Sequence, residues 1–99
     1  MEQRTLGVSM VKDSEIEGRK IEVASTVDAR GLFCPIPIVK LKLEMEKLTS
    51  HQIVQILADD PGFPDDVISW CQETGNKLLS VSKNEEDIFV AYVEKHEED

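Results

Sequence analysis

Residues 21–48 read IEVASTVDARGLFCPIPIVKLKLEMEKL, and the spacing of apolar residues changes in the middle of this stretch. Before Gly31, apolar and polar residues alternate, which is the period of a β-strand. After Pro35, apolar residues recur every three or four positions, which is the period of an amphipathic helix. We therefore predict a strand over 21–28 and a helix that begins at Pro35 and ends near residues 48–50. The positions that define these patterns are Ile21, Val23 and Val27 for the strand, and Ile38, Leu41, Met45 and Leu48 for the helix.

The sequence after this stretch predicts three more strands and a second helix. Residues 52–58 are apolar on nearly both sides, as in a central strand. A break rich in Asp and Pro precedes a helical pattern over 65–74, and the runs 78–82 and 88–94 form a hairpin around a polar turn. The order βαβαββ predicts an α/β (α+β) two-layer sandwich: a mixed four-stranded sheet with both helices on one face and the other face partly open.

The chain of 99 residues, of which 40% are hydrophobic, is large enough for one modest core. We assign residues 22–99 to a single domain. Residues 1–21 show no clear period and are predicted to be an N-terminal extension, either mobile or an edge strand.

The formal charge of −9 argues against direct binding to nucleic acid, because such binding depends on neutralising phosphates. No apolar run is long enough to span a membrane, and the N-terminus lacks the pattern of a secretory signal. We expect a cytoplasmic protein without membrane association. In that compartment Cys34 and Cys71 are expected to be thiols rather than a disulfide.

Cys34 is the residue with the most reactive chemistry in the predicted fold. It precedes Pro35, which suits the first position of a helix, so Cys34 is the predicted N-cap. Unpaired N–H groups and the helix dipole favour an anion there and would lower the pKa of the thiol by about one pH unit. Pro35 and Pro37 lack N–H groups, so those of Ile36 and Ile38 are expected to face the sulfur.

Basic neighbours in sequence add to this expectation. Arg30, Lys40 and Lys42 outnumber Asp28 around the cysteine and could form a docking patch, with Arg30 in the loop as the best candidate. The alternative is that these are ordinary solvated charges. Cys34 itself could also be merely a small buried residue before a helix.

The other candidate groups have simpler structural interpretations. Cys71 lies on the apolar face of the second helix and is expected in the core, although a second sulfur-accepting thiol is the alternative if it is exposed near Cys34. No Cys-x-x-Cys motif is present, and the spacing of His and Cys does not indicate a metal site. Four acidic residues near the Pro-rich break could bind a cation, but helix capping and first-turn charge explain them more simply: Asp59, Asp60, Asp65 and Asp66.

The segment Asp28-Ala29-Arg30-Gly31-Leu32-Phe33-Cys34-Pro35-Ile36-Pro37 resembles the signature of the TusA/SirA family of sulfur-carrier proteins, Asp-x-x-Gly-Leu-x-Cys-Pro-x-Pro. The likeness continues through residues 58–61 and 75–78 and spans about residues 22–95. It implies a two-layer α/β sandwich and a persulfide carried on Cys34. Gly31, Pro35 and Pro37 would shape the loop around it.

The resemblance also implies partners. A cysteine desulfurase or rhodanese-like donor would supply sulfur, and a downstream acceptor protein would receive it for tRNA thiolation, sulfur oxidation or cofactor synthesis. Such a carrier needs no cofactor and is an enzyme only in the sense of a sulfurtransferase. The alternative function is a regulatory or protein-interaction module without sulfur chemistry.

Overall fold

The computed structural model describes residues 12–16 and 19–97 of the chain, with side chains from residue 21 onward. It contains six strands and two helices within these ranges. In chain order the elements are β1 Lys12–Ile16, β2 Arg19–Val23, β3 Ser25–Ala29, α1 Ile36–Met45, β4 Ile53–Ala58, α2 Phe63–Thr74, β5 Lys77–Lys83 and β6 Phe89–Glu94.

The predicted four-stranded mixed sheet is confirmed. Its strand order is β3-β4-β6-β5. Strands β3 and β4 are parallel and pair Val27 with Ile56, whereas β6 is antiparallel to both β4 and β5. The two strands can be parallel because α1 connects them and returns the chain to the same end of the sheet before β4 begins. The carboxyl ends of β3 and β4 therefore lie side by side, and each leads into a helix.

The core lies between the sheet and the two helices. In β4 alternate residues are buried, as expected for a strand with one covered face. Each helix contributes residues four positions apart to the same layer. The helix residues that are buried are Pro37, Leu41 and Met45 in α1, and Phe63, Val67 and Cys71 in α2.

The start of the domain differs from the predicted single strand over 21–28. The strand is interrupted at Ala24, and its first part, β2, pairs antiparallel with β1 in a separate two-stranded sheet. The Ala24 N–H donates to the Ile53 carbonyl oxygen at 2.7 Å, which keeps the chain beside β4 at the interruption. The predicted boundary between residues 21 and 22 falls within β2, and residues 1–11 and 17–18 of the predicted extension lie outside the described residues. That division of the chain stays a prediction.

Both helices have boundaries that differ from the predicted ones. Helix α1 begins at Ile36 and ends at Met45, so it is shorter than its apolar pattern suggests. Helix α2 begins at Phe63, two residues before the predicted start, because Pro64 fits within the first turn, where its missing N–H costs nothing. Neither helix in the described ranges is long and apolar enough to cross a membrane.

Lys95, which directly follows β6, caps the end of α1. Its side chain is 8% exposed, and its Nζ donates to the carbonyl oxygens of Met45 at 2.9 Å and Leu48 at 2.6 Å. These carbonyls lie at and just beyond the helix end, where intrahelical donors are lacking and a cation is favoured.

We expect Lys95→Met to lower the free energy of unfolding by about 1–3 kcal/mol, because both carbonyls lose a charged donor while the aliphatic stem is kept. Urea denaturation measures this change. The control is Lys47→Met, two residues beyond the end of α1; this side chain is 72% exposed, and its replacement should change stability by less than about 0.5 kcal/mol. Equal losses in the two variants would show that Lys95 does not cap the helix.

Candidate functional site

The loop between β3 and α1 places Cys34 on the surface. The chain turns out of β3 at Gly31, whose φ of +81° is a conformation that favours glycine. Cys34 follows as an exposed free thiol, and Pro35 occupies the N-cap position of α1. The predicted N-cap role of Cys34 is therefore wrong by one residue. The alternative that Cys34 is a buried structural residue is also wrong.

A carboxylate from the neighbouring loop stabilises this turn through hydrogen bonds. The Gly31 N–H donates to both oxygens of Asp59, at 3.0 and 3.2 Å. Asp59 follows β4 directly, so the parallel pairing of β3 and β4 brings the two loops together. The sequence interpretation of Asp59 as a helix-capping residue missed this role, because the contact spans 28 residues.

Arg30 and Lys40 are turned toward Asp28 rather than toward the sulfur. Arg30 forms two hydrogen bonds of 2.8 Å with the Asp28 carboxylate, and these bonds hold the pKa of Asp28 well below its usual range. Lys40 Nζ donates to the Asp28 carbonyl oxygen at 3.2 Å. Lys42 lines a different groove, with Met45 and Trp70. The predicted basic patch beside Cys34 is therefore not formed.

Acidic residues of α2 surround the thiol instead. Cys34 lies in an open groove of about 220 Å³ between the start of α1 and one side of α2. Hydrogen bonding to the Asp66 carboxylate, followed by desolvation within the groove and by the negative charges of Asp66 and Asp60, raises the pKa of the Cys34 thiol. The predicted lowering of this pKa is wrong, because the charges that matter come from residues distant in sequence. The groove is lined by Cys34, Pro35, Ile38, Asp66, Ser69, Trp70 and Glu73.

One of the two expected N–H donors, that of Ile36, is also arranged differently. The Ile36 N–H donates to the Phe33 carbonyl oxygen at 2.8 Å, so it closes the loop and does not serve the sulfur. Ile38 lines the groove with its side chain, and Pro37 is buried against the core. The Cys34–Pro35 peptide bond is cis.

Cys71 belongs to the core. Its side chain is 5% exposed, and burial raises its pKa to about 11. It does not line the groove that holds Cys34. The prediction of a core residue is confirmed, and the alternative of a second accessible thiol is wrong.

Apolar side chains also reach solvent next to Cys34. Phe33 is 72% exposed in the loop, and Ile36, Val39 and Leu43 form an exposed stripe on the outer face of α1. The thiol therefore lies between this stripe and the acidic side of α2. Within the described residues, no three His, Cys, Asp or Glu side chains are arranged to hold a metal ion.

Comparison with known proteins adds to this geometry. The family model of the sulfurtransferase TusA matches residues 25–95, which include the loop, both helices and strands β3 to β6. The sulfur carrier protein TusA of Allochromatium vinosum is 36% identical over 69 residues, which are 70% of this chain and 90% of that protein. YrkI of Bacillus subtilis, named as a sulfur carrier, is 39% identical over 69 residues, 70% of this chain and 91% of its own.

Two further similarities differ in extent. A protein of Aquifex aeolicus, also named as a sulfur carrier, is 40% identical over 73 residues, which are 74% of this chain but only 36% of that longer protein. The crystal structure of a SirA-like protein from Desulfitobacterium hafniense superposes with a TM-score of 0.66 at 20% identity, covering 74% of this chain and 99% of the other. This structural likeness shows that the two chains share a fold.

Proposed function

Because the chain belongs to the family of the sulfurtransferase TusA, we propose that it is a sulfur carrier that holds a persulfide on Cys34 and delivers the outer sulfur atom to an acceptor protein. The observation that supports this most is an exposed free thiol in an open groove, at the loop that the family signature predicts. A carrier needs its sulfur accessible to two partners in turn, and the thiol of Cys71 lacks that access.

The proposed transfer consists of two exchanges between sulfur atoms. In loading, Cys34 Sγ attacks the outer sulfur of a donor persulfide; a new S–S bond forms on Cys34, and the donor's S–S bond breaks to leave a thiol. In unloading, an acceptor thiol gives up its proton and attacks the outer sulfur on Cys34; a new S–S bond forms on the acceptor, the S–S bond on Cys34 breaks, and the Cys34 sulfur takes up a proton to become a thiol again. No net oxidation occurs in either step, so neither requires a cofactor.

The surroundings of Cys34 favour protein partners over small substrates. The groove is shallow and open, so the walls of a closed site would have to come from a partner. The exposed stripe that begins with Phe33 offers apolar contact directly beside the sulfur. We propose a cysteine desulfurase or a rhodanese-like protein as the donor. The acceptor determines whether the sulfur serves tRNA thiolation, sulfur oxidation or cofactor synthesis. We propose the cytosol as the site of action, since thiols stay reduced there.

The proposal predicts a direct mass change. Incubated with a cysteine desulfurase and cysteine, the protein should gain one sulfur atom in its intact mass and lose it on treatment with dithiothreitol. The control omits the desulfurase. If no sulfur is gained from any donor that demonstrably forms its own persulfide, the chain is an interaction module and not a carrier.

A further inference from the structure

Asp66 is the acidic residue that acts most strongly on the reactive sulfur of Cys34. It lies in the first turn of α2 and forms a wall of the groove that Cys34 shares. The two residues are 32 positions apart in sequence, and the packing of α2 beside α1 brings them together. Both side chains line the same open groove of about 220 Å³, and Asp66 has the largest effect of any group on the pKa of the Cys34 thiol. Proximity to the proton that moves is the first requirement for a general base.

Other charged groups around the sulfur do not offer an alternative base. Asp60, in the loop before α2, acts on Cys34 through its charge and uses Oδ2 to accept from the Gly62 N–H at 3.1 Å. Glu73 lines the groove from the last turn of α2 but is not among the groups that shift the pKa of Cys34, and the residues that α1 contributes are apolar. Arg30 is engaged by Asp28. Among the described residues that line the groove, none is histidine or lysine.

We propose, as a deepening of the sulfur-carrier function, that Asp66 is a catalytic residue that takes the Cys34 proton as the sulfur is loaded and passes it to the thiolate that leaves the donor. Cys34 Sγ forms its bond to the outer sulfur while its proton moves to an Asp66 oxygen. The donor's S–S bond breaks, and the departing sulfur receives that proton. Unloading is the same exchange in reverse, with the proton of the acceptor thiol reaching the Cys34 sulfur through Asp66.

This role also distinguishes the empty carrier from the loaded one. In the empty carrier the carboxylate keeps the thiol protonated, and a protonated thiol resists oxidation and unwanted exchange. In the loaded carrier Cys34 Sγ is bonded to the outer sulfur and carries no proton, so Asp66 has a proton to transfer again only when the acceptor thiol arrives.

The test compares two rates that Asp66 affects in opposite directions. In Asp66→Asn the anion beside the thiol is gone, so the pKa of Cys34 should fall and its alkylation by iodoacetamide at pH 7 should become faster. Each tenfold gain in thiolate gives only about a threefold gain in rate, because nucleophilicity falls with pKa. Single-turnover sulfur uptake from a persulfide-loaded desulfurase should become at least about tenfold slower, since general bases contribute about 10²–10⁴-fold.

Two further variants complete the experiment. Asp65→Asn removes an exposed carboxylate from the same turn, outside the groove, and should leave both rates unchanged. Asp66→Glu keeps the base and should take up sulfur faster than Asp66→Asn. The proposal is overturned if Asp66→Asn loads as fast as the wild type or faster, which would make Asp66 a mere suppressor of the thiolate. It is also overturned if Glu gives no rescue. A wild type that takes up no sulfur would instead overturn the carrier function itself.

Discussion

Cys34→Ser is expected to abolish sulfur uptake completely while leaving the fold intact. A serine oxygen cannot accept a sulfur atom to form a persulfide, and no second accessible thiol lies in the described part of the chain, because Cys71 is buried. The cost in stability should stay within about 0.5 kcal/mol, since the Cys34 side chain is exposed and contributes little to the core. Intact mass after incubation with a desulfurase and cysteine measures the uptake, and denaturation measures the stability.

Cys71→Ala provides the matched control for this prediction. It removes the buried thiol from the core and lowers stability by leaving a small cavity, but the exposed thiol of Cys34 remains. This variant should gain one sulfur atom as the wild type does. Sulfur uptake by Cys34→Ser, or loss of uptake in folded Cys71→Ala, would contradict the assignment.

Leu41→Ala is expected to cause the largest loss of stability that we predict, about 2–5 kcal/mol. Leu41 is fully buried where α1 packs on the sheet, so truncation removes apolar contacts and leaves a cavity. A loss of this size is a large part of the roughly 5–15 kcal/mol by which a domain is usually stable. Denaturant unfolding should show a lower midpoint with an unchanged slope.

Leu43→Ala on the same helix separates burial from residue type. Leu43 is 54% exposed, and alanine is a good helix former, so its replacement should change stability by no more than about 0.5 kcal/mol. Similar losses in the two variants would mean that α1 does not pack on the sheet through the face that contains Leu41.

The periodic parts of the chain could be predicted from sequence for a simple physical reason. The nearly continuous apolar run over 52–58 indicates a central strand, and the helical spacing from Ile38 to Met45 reports which side of the helix is buried. The order of elements then limits the sheet to few arrangements. The mixed four-stranded sheet with two helices could be predicted from this order. Local interruptions of a strand could not be predicted in this way. The break at Ala24 depends on a hydrogen bond to Ile53, which no local pattern announces.

The electrostatics of the site could not be predicted in the same way. Sequence neighbours suggested a basic environment for Cys34, yet Arg30 folds back on Asp28, two residues away. The carboxylates that act on the thiol are those of Asp60 and Asp66, which follow β4 in the sequence. Charges act through space over a few ångströms, so the sign of a pKa shift depends on tertiary packing and not on proximity in sequence.

The location of the transferred sulfur tests the central claim most directly. After loading by a desulfurase, the wild-type protein is blocked with an alkylating agent, digested and mapped by tandem mass spectrometry. We expect the peptide that contains Cys34 to carry one additional sulfur atom, and the peptide that contains Cys71 to carry none. Sulfur on Cys71, or on neither cysteine despite an active donor, would contradict the account.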